Sequence, residues 1–438
     1  MQGRWIRGVG ALGALLVAGM VAVVWLNLRG EAPAPSLWAA EGRAGTAASG
    51  ASAGLIEKGA YLARAGNCMG CHTAQGGKEY AGGRAMKTPF GLIHAPNLTP
   101  DPETGLGRWT PDAFWRAMHH GRSQDGRLLY PAFPYPQYTR VLREDVDALF
   151  AYLQSLAPVH APNKAHALRF PFNSQAALAV WRALYFRPGE WAPQPQASAP
   201  WNRGAYLVQG LGHCAACHAP RNGWGAPVQE ALLQGGMIPL QNWYAPALGG
   251  GQGGQEAQDA QEEFVRLLKT GITPLASVSG PMAEVVFRST QYLTLEDLRA
   301  MAEYLQSLPA PEAKAARSAS GPGPQAADAL LGGQLYTRHC AQCHGEQGEG
   351  RSGAFVPLAG NRAVNLADGT NVVRMVLQGG YPPATAGNPR PYGMPPFGHQ
   401  LSDAQVAAVA SFIRQSWGNR APAVGTMEVY RVREKRGP

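Results

Sequence analysis

The sequence predicts an all-α chain, with three tandem helical domains following an apolar N-terminal helix. Three observations predict it. A Cys-x-x-Cys-His motif occurs at Cys68, Cys214 and Cys340, spaced 146 and then 126 residues apart. A stretch bearing Gly and Tyr precedes each motif, and an amphipathic stretch of helical period closes each repeat. Length agrees, since 438 residues exceed one ordinary core and suit about three domains of roughly 150 residues each. With 45% of residues hydrophobic, the composition excludes a disordered chain.

Residues 1–30 come first. Gly8 to Leu28 is apolar apart from Asn27, about long enough for a bilayer span, and Arg4 and Arg7 precede it. The segment either anchors the chain or directs its export. Ala32-Pro33-Ala34 is followed by Pro35, which makes a poor cleavage site, so a retained transmembrane anchor is expected. The positive-inside rule then sets the rest of the chain on the outer, periplasmic face. Residues 31–53, rich in Ala, Gly, Ser and Pro, read as a linker.

The breaks that follow give a first domain at 54–165, an inter-domain segment at 166–198 and a second domain at 199–310. A Gly-Pro linker at 311–326, a third domain at 327–420 and a basic tail at 421–438 complete the chain. The opening helices carry Gly59-Ala60-Tyr61-Leu62, Gly204-Ala205-Tyr206-Leu207 and Gly333-Gln334-Leu335-Tyr336. The closing helices run from Asp145 to Leu156, Leu295 to Leu308 and Asp403 to Gln415. Ala151-Tyr152-Leu153-Gln154-Ser155-Leu156 recurs as Glu303-Tyr304-Leu305-Gln306-Ser307-Leu308, and Phe412 holds the aromatic place in the third repeat. An aromatic on the last helix facing a glycine on the first lets the two helices cross closely. Thr294 with Asp297 and Ser402 with Gln405 resemble capping boxes. Arg431, Arg433, Lys435 and Arg436 read as a solvated tail.

A Cys-x-x-Cys pair sets two thiols one helical turn apart, a spacing that reaches both vinyl groups of a haem, and the next residue directs an imidazole at the iron. Three haem c groups are therefore expected, on Cys68, Cys71 and His72, on Cys214, Cys217 and His218, and on Cys340, Cys343 and His344. Zinc would need a fourth ligand near each motif, and a thioredoxin-type pair would not require the His. All 6 cysteines lie in the motifs, leaving none for a disulfide.

His/Met ligation raises a haem's potential and closes its iron. Met282, in Gly280-Pro281-Met282, and Met394, in Gly393-Met394-Pro395-Pro396-Phe397, lie where a loop thioether would complete the second and third sites. The core-filler reading stands beside both. At the matching place the first repeat reads Tyr130-Pro131-Ala132-Phe133-Pro134-Tyr135, and Phe cannot ligate iron. Met118 is the leading substitute, with Met86, His94, His119 and His120 behind it; the alternative is a five-coordinate or water-bound iron.

Net charge is +9, yet the basic residues are scattered and haem propionates balance part of the excess, so no nucleic-acid partner is expected. Gly249 to Gly254 lacks the Lys-Ser/Thr of a phosphate loop and reads as a flexible loop. Leu178, Trp181 and Tyr185 share one side of an amphipathic stretch, expected to pack between the first two domains or to meet a partner or the membrane.

These residues resemble the three-haem cytochrome c subunits of membrane-bound bacterial dehydrogenases, of the quinohaemoprotein alcohol and gluconate dehydrogenase type. The likeness covers roughly residues 54–418. It rests on Thr88-Pro89-Phe90-Gly91, Ala95 to Asp101, His213 to Asn222, Met282 to Thr294 and Met394 to Phe397. The resemblance implies three tandem class I cytochrome c domains on the periplasmic side of the bacterial inner membrane. It implies an electron-transfer subunit, with no catalytic residues of its own. Its donor would be a quinoprotein, flavoprotein or molybdenum hydroxylase subunit, and its acceptor ubiquinone or a terminal oxidase. The family often carries Met where this chain has Phe133, so that ligand does not carry over. Two other readings stay open: a haem enzyme or gas-binding cytochrome using an open first haem, and a cytochrome subunit of a terminal oxidase.

Overall fold

The computed structural model describes residues 2–29, 52–250, 255–310 and 326–434. The 31–53 and 311–326 linkers, most of the glycine run after Gly250, and Lys435 and Arg436 lie largely or wholly outside the described residues. The chain divides into two compact units, one of Met1–Ala63, Cys71–Ala192 and Gln209–His213, the other of Arg64–Gly70, Pro193–Val208 and Cys214–Pro438.

From the N-terminus the elements are α1 (Gln2–Leu28), α2 (Ala53–Ala65), α3 (Cys68–His72), β1 (Ala85–Thr88), β2 (Gly91–His94), α4 (Pro111–His120), α5 (Tyr135–Tyr138), α6 (Arg143–Ser155), β3 (Ala167–Leu168) and α7 (Gln175–Tyr185). The strands form one small antiparallel sheet with β2 central. The chain continues through α8 (Ala199–Gln209), α9 (Ala215–His218), the hairpin of β4 (Gly236–Ile238) and β5 (Trp243–Ala245), α10 (Gln255–Thr270), α11 (Gly280–Arg288) and α12 (Leu295–Gln306). It ends with α13 (Ala326–His339), α14 (Ala341–His344), α15 (Thr370–Gln378), α16 (Asp403–Gln415) and α17 (Thr426–Glu434).

The opening and closing helices of each repeat cross at a glycine. A Cβ on Gly59 would strike the Ala148 carbonyl and Tyr152 Cβ, and one on Gly204 would strike the Ala300 carbonyl and Met301 N. In the third repeat Gly332 takes this place, against the Ala408 carbonyl and Phe412 Cβ, while Gly333 meets the Phe412 ring. The sequence alignment on Gly333 is thus one residue out, because adjacent glycines cannot be told apart by periodicity. Since the opposing atoms at Gly204 are backbone and cannot swing aside, Gly204→Ala is expected to cost about 1–3 kcal/mol, measured by denaturant unfolding of the holoprotein.

A cation beside the crossing glycine reinforces two of the crossings. Arg203 grips Asp297 through two 2.8 Å bonds, from Nε and Nη2, and Lys58 Nζ meets Asp145 at 2.7 Å. Burial would lower the Lys58 pKa, but the hydrogen bond and charge of Asp145 outweigh it and leave the pKa raised. The same carboxylate sits in the first turn of α12, behind the Thr294 cap. Thr294 accepts from Asp297 N at 3.1 Å as an N-cap should, while the Asp297 carboxylate is engaged by Arg203. Ser402 and Gln405 form the complete capping box.

In its described part the C-terminal segment is a helix packed on the third core rather than wholly the solvated tail the sequence suggested. α17 buries Val429 and Val432 in the third core, and Arg433 bonds to the Leu401 carbonyl and Asp403. Two apolar residues three apart among basic ones were its sequence signal.

Among the described residues no helix is long and apolar enough to cross a membrane. The side chains of residues 2–10, 12, 13 and 16 in α1 fall outside that description. The C-terminal end of α1 is clasped by α7. Asn27, 7% exposed, donates from Nδ2 to the carbonyls of Val23 and Ala179 and accepts from Arg182 Nε at 2.9 Å. Arg182, 2% exposed, also donates to the His120 carbonyl at the end of α4. The buried side of α7, Leu178 with Arg182 and Ala183, therefore packs within the first unit.

Candidate haem sites

Each Cys-x-x-Cys-His motif forms a helical turn. His218 N donates to Cys214 O, and His344 N to Cys340 O, both at 2.9 Å, and Cys68–His72 is α3 itself. None of the 6 cysteines is in a disulfide, and one turn separates the members of each pair. Among the described residues no group of three or more His, Cys, Asp or Glu side chains gathers to hold a bare metal ion.

The imidazoles are oriented alike. Nδ1 of His72 lies 2.8 Å from Pro96 O, that of His218 2.6 Å from Pro246 O, and that of His344 2.9 Å from Val356 O. A carbonyl only accepts, so Nδ1 carries the proton in each ring and Nε2 is left as the lone-pair nitrogen. Burial lowers all three imidazole pKa values, with the backbone hydrogen bond opposing, so the neutral ring that iron requires is favoured. Paired thiols plus one neutral, fixed imidazole fit haem c. The sequence held a signal for these carbonyls in Ala95-Pro96 and Ala245-Pro246, each downstream of a motif His.

Met394 is pinned at the end of α15, its N donating to Gly380 O at 2.8 Å while its O accepts from Gly380 N at 3.0 Å. It packs partly buried against the third core. Met282 lies in the first turn of α11, behind Pro281. In the first repeat Phe133 meets Tyr138 edge to face at 5.3 Å.

The substitutes for a thioether at the first site have other surroundings. Met118 is 4% exposed in α4, three residues before Gly121; Leu268 and Val376, also 4% exposed, precede Gly271 and Gly379 by the same interval. Met118 thus occupies a position filled by core aliphatics in the other repeats. His119 stacks on Trp115 at 4.5 Å. Burial pushes its pKa down to about 4 and that of His120 to about 3. His94 Nδ1 lies 2.9 Å from Ala165 O, and Met86 sits half-buried on β1 opposite Ile93.

Three attachment turns, each with its imidazole held by a backbone carbonyl and each set on crossed helices, define a multihaem c-type cytochrome, whose work is electron transfer. The cytochrome c family model matches residues 56–157 and 329–417. The cytochrome c subunit of alcohol dehydrogenase (quinone) from Gluconacetobacter polyoxogenes is 38% identical over 89% of this chain and 86% of its own length. The gluconate 2-dehydrogenase cytochrome c subunit of Pantoea cypripedii is 38% identical over 85% of this chain and 88% of its own. A nicotinate dehydrogenase subunit of Pseudomonas putida is 44% identical over 85% of this chain, a match covering 31% of that longer protein. The chain belongs to the family of cytochrome c subunits of membrane-bound dehydrogenases, with three haem c sites marked by its three Cys pairs.

Proposed function

We propose that this chain accepts electrons from a catalytic dehydrogenase subunit at the periplasmic face of the bacterial inner membrane and delivers them to ubiquinone or another respiratory acceptor. The observation that carries the reading is the threefold Nδ1-to-carbonyl hydrogen bond, which fits every motif imidazole for iron. Haem c, when bound, supplies one-electron redox chemistry. The chain's part is to hold and orient. Cys68 and Cys71, Cys214 and Cys217, and Cys340 and Cys343 would hold the haems through thioether bonds; His72, His218 and His344 would ligate iron; Met282 and Met394 would supply thioethers to the second and third sites. Each site is read as belonging to its own class I domain, as the three glycine crossings support.

The substrate oxidised by the partner follows the partner's identity. Relatives named for alcohol, gluconate, fructose and nicotinate dehydrogenases share this subunit's sequence. Membrane attachment through residues 1–30 is supported by the apolar run in the sequence and by exposed Leu15, Val17, Met20, Val24 and Trp25 on α1.

Purification of the native complex tests the proposal. The chain is expected to carry three haems, to copurify with a dehydrogenase subunit and to be reduced by substrate when that subunit is present. Substrate-dependent dye reduction by the isolated chain would contradict it. The second reading, an open first site, is favoured by Phe133 at the thioether position, and carbon monoxide binding to one reduced haem in three is its signature.

A further inference from the structure

We infer that Trp243 is the junction that couples the second and third haem sites, an inference that rests on reading Cys214–His218 and Cys340–His344 as haem attachment segments. Trp243 opens β5, and three residues on, Pro246 O receives the His218 Nδ1 hydrogen bond at 2.6 Å. The indole also closes over Gly280, where a Cβ would lie 2.6 Å from Trp243 Cδ2; Gly280 holds φ +54, a left-handed conformation that glycine adopts without strain. Met282 follows two residues later. One ring therefore packs on the first residue of the helix that carries the second site's distal candidate, and belongs to the strand that leads directly into the carbonyl orienting its proximal imidazole.

The indole also makes a contact in the third repeat. The Arg374 guanidinium sits over the Trp243 ring, 4.7 Å from its centroid. Arg374 is on α15, the helix that runs into the Gly380–Met394 pairing. The register is locked alongside: Asn371 Oδ1 accepts from Tyr244 N at 2.9 Å, and Asn371 Nδ2 donates to Tyr244 O at 2.8 Å. This side-chain amide pairs with β5 as a neighbouring strand would, so β5 cannot slide along α15. Backbone and hydroxyl contacts extend the seam, Arg362 N to Leu275 O at 2.8 Å and Thr385 Oγ1 to Thr270 O at 3.1 Å.

The residue at this position differs between the repeats. Counting back from the imidazole-orienting prolines, Ile93 stands in the first repeat where Trp243 stands in the second. An aromatic ring there is not needed to orient the imidazole. Coupling moves one electron, with one site oxidised as the other is reduced, and requires no proton or co-reactant.

The test uses full-length holoprotein. Haem is first counted per chain, which checks the attachment reading separately; wild-type protein with fewer than three haems would overturn that reading instead. Electron redistribution between the second and third haems after rapid photoreduction is then followed in Trp243→Leu, Trp243→Phe and Asn371→Ala, with midpoint potentials from redox titration. Trp243→Leu is expected to redistribute several-fold more slowly, Trp243→Phe close to wild type, and Asn371→Ala more slowly because the seam loosens while the ring remains. Wild-type rates in Trp243→Leu with three haems bound overturn the inference. If that variant fails to load haem, a wild-type rate in Asn371→Ala overturns it.

Discussion

Met394→Ala is expected to abolish the sulfur-to-iron charge-transfer absorbance of the third haem, lower its midpoint potential and let it bind carbon monoxide when reduced. The backbone at Met394 is tied to Gly380 in both directions, so the loop should hold its path after the side chain is shortened, and the effect isolates the thioether. Axial ligand identity spans roughly 0.8 V of haem potential, so even part of that range is a large shift. Met118→Leu is the matched control. Its side chain lies in an aliphatic core position, and a volume-conserving exchange there should leave all three haem spectra unchanged. A spectral change in Met118→Leu would make Met118 a ligand of the first haem, and an unchanged third haem in Met394→Ala would remove Met394 from the distal site.

Arg414→Met is expected to destabilise the third core by about 3–5 kcal/mol, through buried carbonyls left without a donor. Arg414 is 1% exposed. Its guanidinium donates to the carbonyls of Pro422 at 2.9 Å, Val364 at 2.9 Å, Leu366 at 2.8 Å and Ala367 at 3.2 Å. Those bonds fix the segment entering α15 and the turn leading to α17, so one side chain ties both to α16. Burial lowers the Arg414 pKa, with Glu428 and Asp368 opposing that shift. Denaturant unfolding followed at the haem absorbance measures the loss, and a change under about 1 kcal/mol would show that water or neighbouring groups replace the guanidinium.

The attachment motifs, the opening and closing helices and the Ser402 cap were legible in the sequence because each is local. A Cys-x-x-Cys-His turn, a capping box and a helical period are written within a few residues. The glycine crossings were legible as a pattern, though Gly332 and Gly333 could not be separated without the atoms opposite them. Trp243, Asn371 and Arg414 were not legible. Their roles depend on partners 131, 127 and 50 residues away, in Arg374, Tyr244 and Val364, and no local period encodes such a pairing. α17 was missed because its two buried valines lie beside Arg431 and Arg433, and composition outweighed spacing.

The clasp on Asn27 has a consequence for maturation. Arg182 is buried in the folded unit with Asn27 Oδ1 among its acceptors, so trimming the N-terminus beyond that residue would withdraw an acceptor from a guanidinium that water cannot readily reach. A leader peptide is ordinarily discarded once export is complete. Here the end of the apolar helix is a structural member of the folded unit, so α7 completes its packing only with that end in place. A protease that cut the chain beyond Asn27 would therefore also remove part of the fold.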